Sequence, residues 1–326
     1  MRHRTMLCGL AVALVVALAL APARAQAPYP SQPVKIIVGV PAGAITDLVA
    51  RIFAKHLTDL GKTAIVENRP GATGVIAADM VAKSPHDGYT LFMATHATNS
   101  IMQHLQKLPY DPIKDFDPVV LIVTTPNTLI VTPSLPVHSL KEFIAYAKAN
   151  PGKLTYASQG IGSSGHIAGE QFKMLAGVDI VHVPYRGAAP ALQDVIAGHV
   201  PVMFDVVALT GPLVAQGKVQ ALAVAAPQRV PTLKDVPTMT EAGLPGVEGG
   251  AWFGLLAPAG TPKAIVDWLN AEANKTFKDP KVHDQLSKRG LALPLGSPQD
   301  FTAFIAADSK RYGDAIAKAG IRIESH

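Results

Sequence analysis

The feature that most constrains this chain is a repeated rhythm of short β-rich run, small-residue turn and helix-spaced apolar stripe. Val34-Lys35-Ile36-Ile37-Val38 reads as a buried strand. The turn Gly39-Val40-Pro41-Ala42-Gly43-Ala44 follows. A helix comes next, with Val49, Ile52, Phe53 and Leu57 on one face and Gly61 suited to its C′ position. Ala64–Glu67 and Thr90–Ala94 repeat the strand pattern, separated by the turn Asn68-Arg69-Pro70-Gly71 and a short helix over Val75–Ala82. A βαβαβ order of this kind predicts a parallel sheet with right-handed crossovers.

From Pro109 the rhythm changes. "PYDPIKDFDPV" is a Pro/Asp-rich loop, and "VVLIVTTPNTLIVTPSLP" is a β-rich run too long for one ordinary strand, so it is expected to cross between domains. A second βαβ set follows: strand Lys153–Ala157, helix His166–Leu175, strand Asp179–Val183, helix Pro190–Ala197 and strand Val202–Asp205. "VQALAVAAPQR" holds a further strand, "EAGLPGVEGGAWFGLLAPAGTP" reads as Gly/Pro-rich connection, and helices run from Pro262 to about Ala319. Two βαβ blocks joined by two extended crossings predict an α/β protein of two lobes around a cleft. The expected division is 28–124 with 250–326 as one lobe and 125–249 as the other.

The N-terminus sets the expected compartment. Arg2 and Arg4 precede the apolar run Leu7–Leu20, and Ala23-Arg24-Ala25 offers a small-x-small signal-peptidase site, with Ala25-Gln26-Ala27 as a second. The run falls short of the roughly 20 residues needed to span a bilayer. The only cysteine, Cys8, lies inside this leader, so the mature chain is expected to hold no disulfide and no thiolate metal site. Loss of Arg2, Arg4 and Arg24 lowers the formal charge from +5 to about +2. With no basic run and no aromatic ladder, nucleic acid is not an expected partner.

In such sheets ligands sit at the carboxyl ends of strands, on the turns that open helices. Three of these turns are small and polar: Pro41-Ala42-Gly43-Ala44, Thr95-His96-Ala97-Thr98-Asn99 and Ser158-Gln159-Gly160-Ile161-Gly162-Ser163-Ser164. The last carries Gly160-x-Gly162-x-x-Gly165, the spacing of a dinucleotide turn, with Asp179 19 residues after Gly160. Asp179, however, opens the next strand, where a ribose-binding acid belongs at its end. An exported chain also has little access to dinucleotides. The same geometry serves a simpler purpose. A helix start offers about four unpaired N–H groups and roughly half a positive charge, glycines admit a ligand close to the backbone, and Ser163 or Ser164 can cap or donate.

Catalytic constellations are weak. Neither serine has glycine at both −2 and +2, so no nucleophile elbow is present. His166 is two residues along a helix from Ser164 and hence on another face, and His166 with Glu170 has no further metal-ligand pattern. Asp205 closes an apolar strand and suits a loop N–H or a ligand. Trp252 and Phe253 suit interior packing more than a cleft wall.

Taken in order, "YPSQPVKIIVGVPAGAITD", "VENRPGATGVIAADMVAKSPHDGYTL", "LPYDPIKDFDPV", "YASQGIGSSGHIAGEQFK", "VHVPYRGAAPAL", "MFD" and "WFGLLAPAGTP" resemble the Bug-type receptors, the periplasmic solute-binding proteins of tripartite tricarboxylate transporters. The resemblance runs from about Tyr29 to Gly320. It implies a type II periplasmic-binding-protein fold that closes on a small organic carboxylate and presents it to membrane permease subunits. It also implies a monomer without cofactor, metal or enzymatic activity. By the same resemblance the ligand is held by Ala42, Gly43, Ala44, Thr46 and Asp47 of the first turn, and by Thr95, His96 and Thr98 of the third. Ser158, Gly162, Ser163, Ser164, His166 and Asp205 complete the implied set.

Two departures from the family pattern bear on the ligand. Pro-Ala-Gly-Gly is replaced by Pro41-Ala42-Gly43-Ala44 with Ile45 next, and Val206 follows Asp205 where Asn is frequent. Both make the turns bulkier or less polar, which predicts a ligand with an apolar body, such as an aromatic ring, rather than an amino group. The ligand class expected overall is a small organic carboxylate, aromatic or dicarboxylate. The alternatives are a secreted serine hydrolase using Ser163 or Ser164, and a receptor that feeds a sensor.

Overall fold

The computed structural model describes residues 29–247 and 249–322; the expected leader lies outside them. Among the described residues, the first three strands are β1 (Val34–Val38), β2 (Ala64–Asn68) and β3 (Thr90–Thr95), with helices α1 (Ile45–Asp59) and α2 (Val75–Ala82) between them. These follow the pattern-based boundaries to within a residue or two. The glycine at the end of α1 also behaves as expected, since Gly61 has φ +74° just past the Leu60 cap.

The long run is a single strand, β4 (Phe116–Val131), of 16 residues. Beyond it come α3 (Leu140–Ala149), β5 (Leu154–Ser158), α4 (Ser164–Ala176), β6 (Ile180–Pro184), α5 (Ala188–Ala197) and β7 (Val202–Val206). The chain then forms α6 (Val207–Ala215), β8 (Gln220–Val224) and β9 (Gly250–Pro258), and ends in α7 (Lys263–Lys278), α8 (Pro280–Ser287) and α9 (Pro298–Ala319).

Three elements correct the pattern-based reading. The stretch read as Gly/Pro-rich connection holds β9, a nine-residue strand at the middle of the sheet. Helix α3 carries a readable start, because Ser139 accepts from the Glu142 N–H and the Glu142 side chain accepts from the His138 N–H. Helix α6 is apolar on nearly all sides and contains Gly211-Pro212, which reads as a break.

The strands hydrogen-bond in the order β2-β1-β3-β9-β4-β7-β5-β6, with β8 also on β4. Pairings within β2-β1-β3 and within β7-β5-β6 are parallel, and those involving β4 and β9 are antiparallel. Strand β4 changes partners along its length. Phe116 to Pro126 pairs with β9, and Asn127 to Val131 pairs with β7. Register shifts after Pro118 and Leu121 let the first half bend as it runs.

Each half has its own core. Phe92, Phe116, Trp252 and Phe301 anchor one, and Phe143, Tyr156, Phe172 and Phe204 anchor the other. Trp252 is an interior residue, edge-on to Phe301 with its indole N–H donating to Asp308 at 2.7 Å.

The start of α4 lies so close to β7 that no side chain fits between them. A Cβ on Gly165 would stand 2.1 Å from the Phe204 carbonyl oxygen. The third glycine of the spacing therefore serves helix–strand packing. Gly165→Ala is expected to destabilise the fold by about 1–3 kcal/mol, the usual cost of overpacking, read as a fall in the urea unfolding midpoint. An unchanged midpoint would show that α4 does not rest on β7 in this way.

Candidate functional site

The glycine turn is the most internally committed of the three. Ser163 is the N-cap of α4: its hydroxyl accepts from the His166 N–H at 3.3 Å and donates to the Gly160 carbonyl at 2.7 Å. Ser164 donates to Asn127 Oδ1 at 3.1 Å, and the Gly162 N–H donates to His166 Nδ1 at 3.3 Å. Ser158 shares a 2.7 Å hydrogen bond with His182 Nε2, and the rings of His182 and His166 stack at 4.4 Å. Burial, then the neighbouring His166, lowers the His182 pKa to about 3. Burial likewise lowers that of His166. Both rings are thus neutral near neutrality, and neither serine is paired with a base.

The first turn is organised differently. Asp47, three residues into α1, accepts from the Gly43 N–H (2.9 Å) and Arg51 Nε (2.9 Å) on one oxygen, and from Asn68 Nδ2 (3.0 Å) on the other. Burial acts to raise its pKa, but these three donors prevail and hold it below the ordinary carboxylate value. Asp47 therefore shapes the turn with its own charge. Ala44, the N-cap of α1, offers no side-chain cap, and Gly43 takes φ +88° to expose the backbone. Thr46 is buried beneath it and Ala42 is exposed.

Gly43, Ala44, Ile45 and Leu48 line a cavity of ≈ 200 Å³ together with Asp47 and Arg51. Ala208 and Leu209 at the start of α6, with Arg289 and Leu291 from the loop after α8, complete its lining. Helix α6 also lacks a side-chain cap, since its N-cap is Val206; one of its N–H groups, that of Ala208, reaches Thr125 Oγ1 at 3.3 Å. Gly187 and Pro262 leave α5 and α7 without a side-chain cap too, but neither lines this cavity. What distinguishes the site is convergence: two helix starts, one from each half of the sheet, face one hollow. Its size is below the roughly 300–1,000 Å³ typical of pockets for drug-sized ligands, which suits a small metabolite. A second hollow of ≈ 210 Å³, near Ile113, Phe116 and Ile305, has no such convergence.

Asp205 is fully buried one residue before the cap of α6. Its Oδ1 accepts from the Val206 N–H at 2.7 Å and from the Gln159 side-chain amide, which ties the glycine turn to the α6 turn. Burial pushes its pKa up to about 7, against these two donors, and its Oδ2 has no partner. Asn127 Nδ2, on the crossing strand, is likewise buried and unpartnered.

The third turn is interior. Thr95 and Thr98 bond to each other across the end of β3, and the Thr98 hydroxyl also meets Asn99 Oδ1 at 2.8 Å. His96 packs edge-on to Phe253, and burial lowers its pKa to about 4. Of the residues expected from sequence, Gly43, Ala44 and Asp47 line the cavity; the rest do not, and all of them are buried except exposed Ala42. The three turns are not all adjacent: β1 and β3 are neighbours, but β5 lies beyond β9, β4 and β7. Leu48, Arg51, Ala208, Leu209, Arg289 and Leu291 also line the cavity and were not singled out by the pattern, which named Ile45 only as added bulk beside the first turn. Arg51 had a legible hint in its four-residue spacing from Asp47. Arg289 had none.

Residues 49–321 match the Tripartite tricarboxylate transporter family receptor, TctC. A UPF0065 protein from the tcbD-tcbE intergenic region of Pseudomonas sp. (strain P51) is 36% identical over 97% of this chain and 94% of its own length. The structure of R. palustris Rpa4515 with adipate is similar at TM-score 0.85 and 38% identity, over 90% of this chain and 100% of that one. The periplasmic binding protein BugD is similar at TM-score 0.83 and 34% identity, over 90% and 100%. The chain belongs to the TctC/Bug family of solute-binding receptors, and its fold is the two-lobed type II arrangement of periplasmic binding proteins.

The buried carboxyl gives the site a pH signature. Asp205 keeps its proton in the fold to about pH 7, whereas its ordinary value is 3.8, so folding takes up a proton between those limits. The stability linked to that proton is full below about pH 4 and is lost as pH rises to about 7. Asp205→Asn is therefore expected to gain in stability relative to wild type across that window, with the difference level above it. Paired urea titrations at pH 4.5, 6 and 7.5 check this; a constant difference would mean Asp205 is ionised in the fold.

Proposed function

We propose that this receptor is exported by cleavage of its leader and binds a small organic carboxylate between the starts of α1 and α6. It then delivers that ligand, unaltered, to the membrane subunits of a tripartite transporter. The carrying observation is the pair of helix starts without side-chain caps on one cavity of ≈ 200 Å³. Free N–H groups and aligned peptide dipoles at such ends favour an anion. Two of them, contributed by opposite halves, reward closure of the halves on the ligand.

The ligand body is apolar in this reading. Ile45, Leu48, Leu209 and Leu291 stand where it would lie, in keeping with the bulkier first turn and with Val206 after Asp205. The adipate of the Rpa4515 structure is an acid with such a body, which supports the same class here. Binding without chemistry fits the serines: Ser163 is spent as a cap and Ser164 on Asn127. The working form is a monomer.

Ala44→Asp separates fold from function. Aspartate is a strong N-cap, worth about 0.5–2 kcal/mol over alanine, so the thermal midpoint is expected to hold or rise. The same carboxylate faces the cavity and occupies its N–H groups, so affinity for carboxylates should fall at least about tenfold, or 1.4 kcal/mol. Isothermal calorimetry against mono- and dicarboxylates reads the result; unimpaired binding would remove the α1 start from the site.

A further inference from the structure

Two arginines line the cavity, and they are not equivalent. Arg51 is engaged, with Nε on Asp47 at 2.9 Å and Nη2 on Asn68 Oδ1 at 3.1 Å. Arg289 is exposed, and among the described residues no carboxylate or carbonyl holds its guanidinium.

Its backbone, in contrast, is firmly placed. The Arg289 N–H donates to Leu286 O at 3.0 Å, and the Gly290 N–H donates to Ser287 O at 2.9 Å. Gly290, at φ +77° and two residues past the Lys288 cap of α8, has no room for a side chain: a Cβ there would meet Val207 Cγ1 at 2.8 Å, so this turn sits directly against the first residue of α6. Two residues on, Ala292 and Thr124 exchange backbone hydrogen bonds of 2.9 Å, which fastens the loop to β4. A fixed base carrying an unpaired guanidinium at the edge of a cavity is a poor arrangement for stability and a suitable one for reading charge.

The charges around the cavity point the same way. Its one carboxylate, Asp47, is matched by Arg51 and two further donors, so Arg289 is left as uncompensated positive charge. Apart from these charged groups the lining is largely apolar, with Ile45, Leu48, Leu209 and Leu291 among its residues.

We propose that Arg289 is a specificity-determining residue that binds a second anionic group on the ligand, so that the cavity selects acids with two charged ends and an apolar middle over their singly charged analogues. The inference rests on the carboxylate-receptor reading above and adds to it the residue that reads the far end. A planar, five-donor guanidinium suits a carboxylate, which it can take with two parallel hydrogen bonds.

The test uses matched acids on the purified mature protein: adipate with hexanoate, and terephthalate with benzoate. Calorimetry on wild type is expected to show the diacid of at least one pair bound about tenfold tighter than its monoacid. In Arg289→Met that ratio should collapse to within about twofold, with the loss falling mainly on the diacid Kd, and the thermal midpoint should hold because the side chain is exposed. Arg289→Lys should restore part of the preference. A diacid preference that survives in Arg289→Met, or its absence in wild type that binds monoacids, overturns the role of Arg289 and leaves the carboxylate reading standing. Failure of wild type to bind any of the four acids overturns both.

Discussion

Strand β4 must belong to two half-sheets at once, and the cleft takes its shape from that requirement. At Pro126 it still pairs with β9; at Asn127 it pairs with β7. Pro126 brings no N–H to the ladder, and a Cβ on the opposing Gly250 would lie 2.1 Å from Thr125 O, so the crossing strands meet with no spare room. Asn127 then locks the junction. Its N–H donates to Gly249 O (2.9 Å), its carbonyl accepts from Ala225 N (2.8 Å), and its side chain accepts from Ser164 (3.1 Å). Its neighbour Thr125 accepts from the Ala208 N–H at the start of α6. The starts of α4 and α6 are thus placed by hydrogen bonds to a central strand. Loops alone would hold them less firmly.

That dependence explains what could be read from the sequence and what could not. Local signals gave the repeated strands and helices of both halves, because each obeys its own periodicity and turn chemistry. The excess length of the β4 run disclosed a crossing. Its counterpart β9 stayed hidden, since Gly250 and Gly254 are there for close approach: a Cβ on Gly254 would strike Phe301 at 2.3 Å, and such glycines look like loop in one dimension. The site was legible only where a turn forms most of it. Gly43, Ala44 and Asp47 belong to one turn and the helix it opens and could be found, whereas Leu209 and Arg289 reach the cavity through sheet order and the docking of Gly290 on Val207. Nothing local in the chain records such contacts.

The distribution of caps also reverses the first impression of the glycine turn. Its spacing and its serines made it the most conspicuous candidate, yet the structure spends those groups internally: Ser163 on the helix start, His166 on the Gly162 N–H, Ser164 on the crossing. A helix start satisfied by its own side chains has less to offer an anion. The helix starts at Ala44 and Val206 have no side-chain cap from the N-cap residue, so N–H groups of their first turns are not taken up in that way. A missing cap forgoes about 0.5–2 kcal/mol, a cost that a bound anion can offset at the moment of binding. Residue polarity in sequence is therefore a poor guide to which backbone groups remain available.

In the proposed reading, reliance on main-chain donors suits a receptor that must release what it binds. A buried ion pair requires a charged side chain to be desolvated in the empty state, which costs several kcal/mol before any ligand arrives. Helix-start N–H groups carry only partial charges, are fixed in advance and pay little of that penalty. Micromolar affinity needs only about 8 kcal/mol. A charge-assisted hydrogen bond contributes about 1.5–3 kcal/mol, so a few of them with burial of an apolar body reach that level once association costs are met. Asp47 fits this economy. By taking Gly43, Arg51 and Asn68 as its own partners it stiffens the turn, while its charge is balanced and adds little repulsion towards an acid. In the proposed reading, the field that an arriving anion meets is set mainly by the two helix starts and by Arg289, which no carboxylate or carbonyl of the described residues holds.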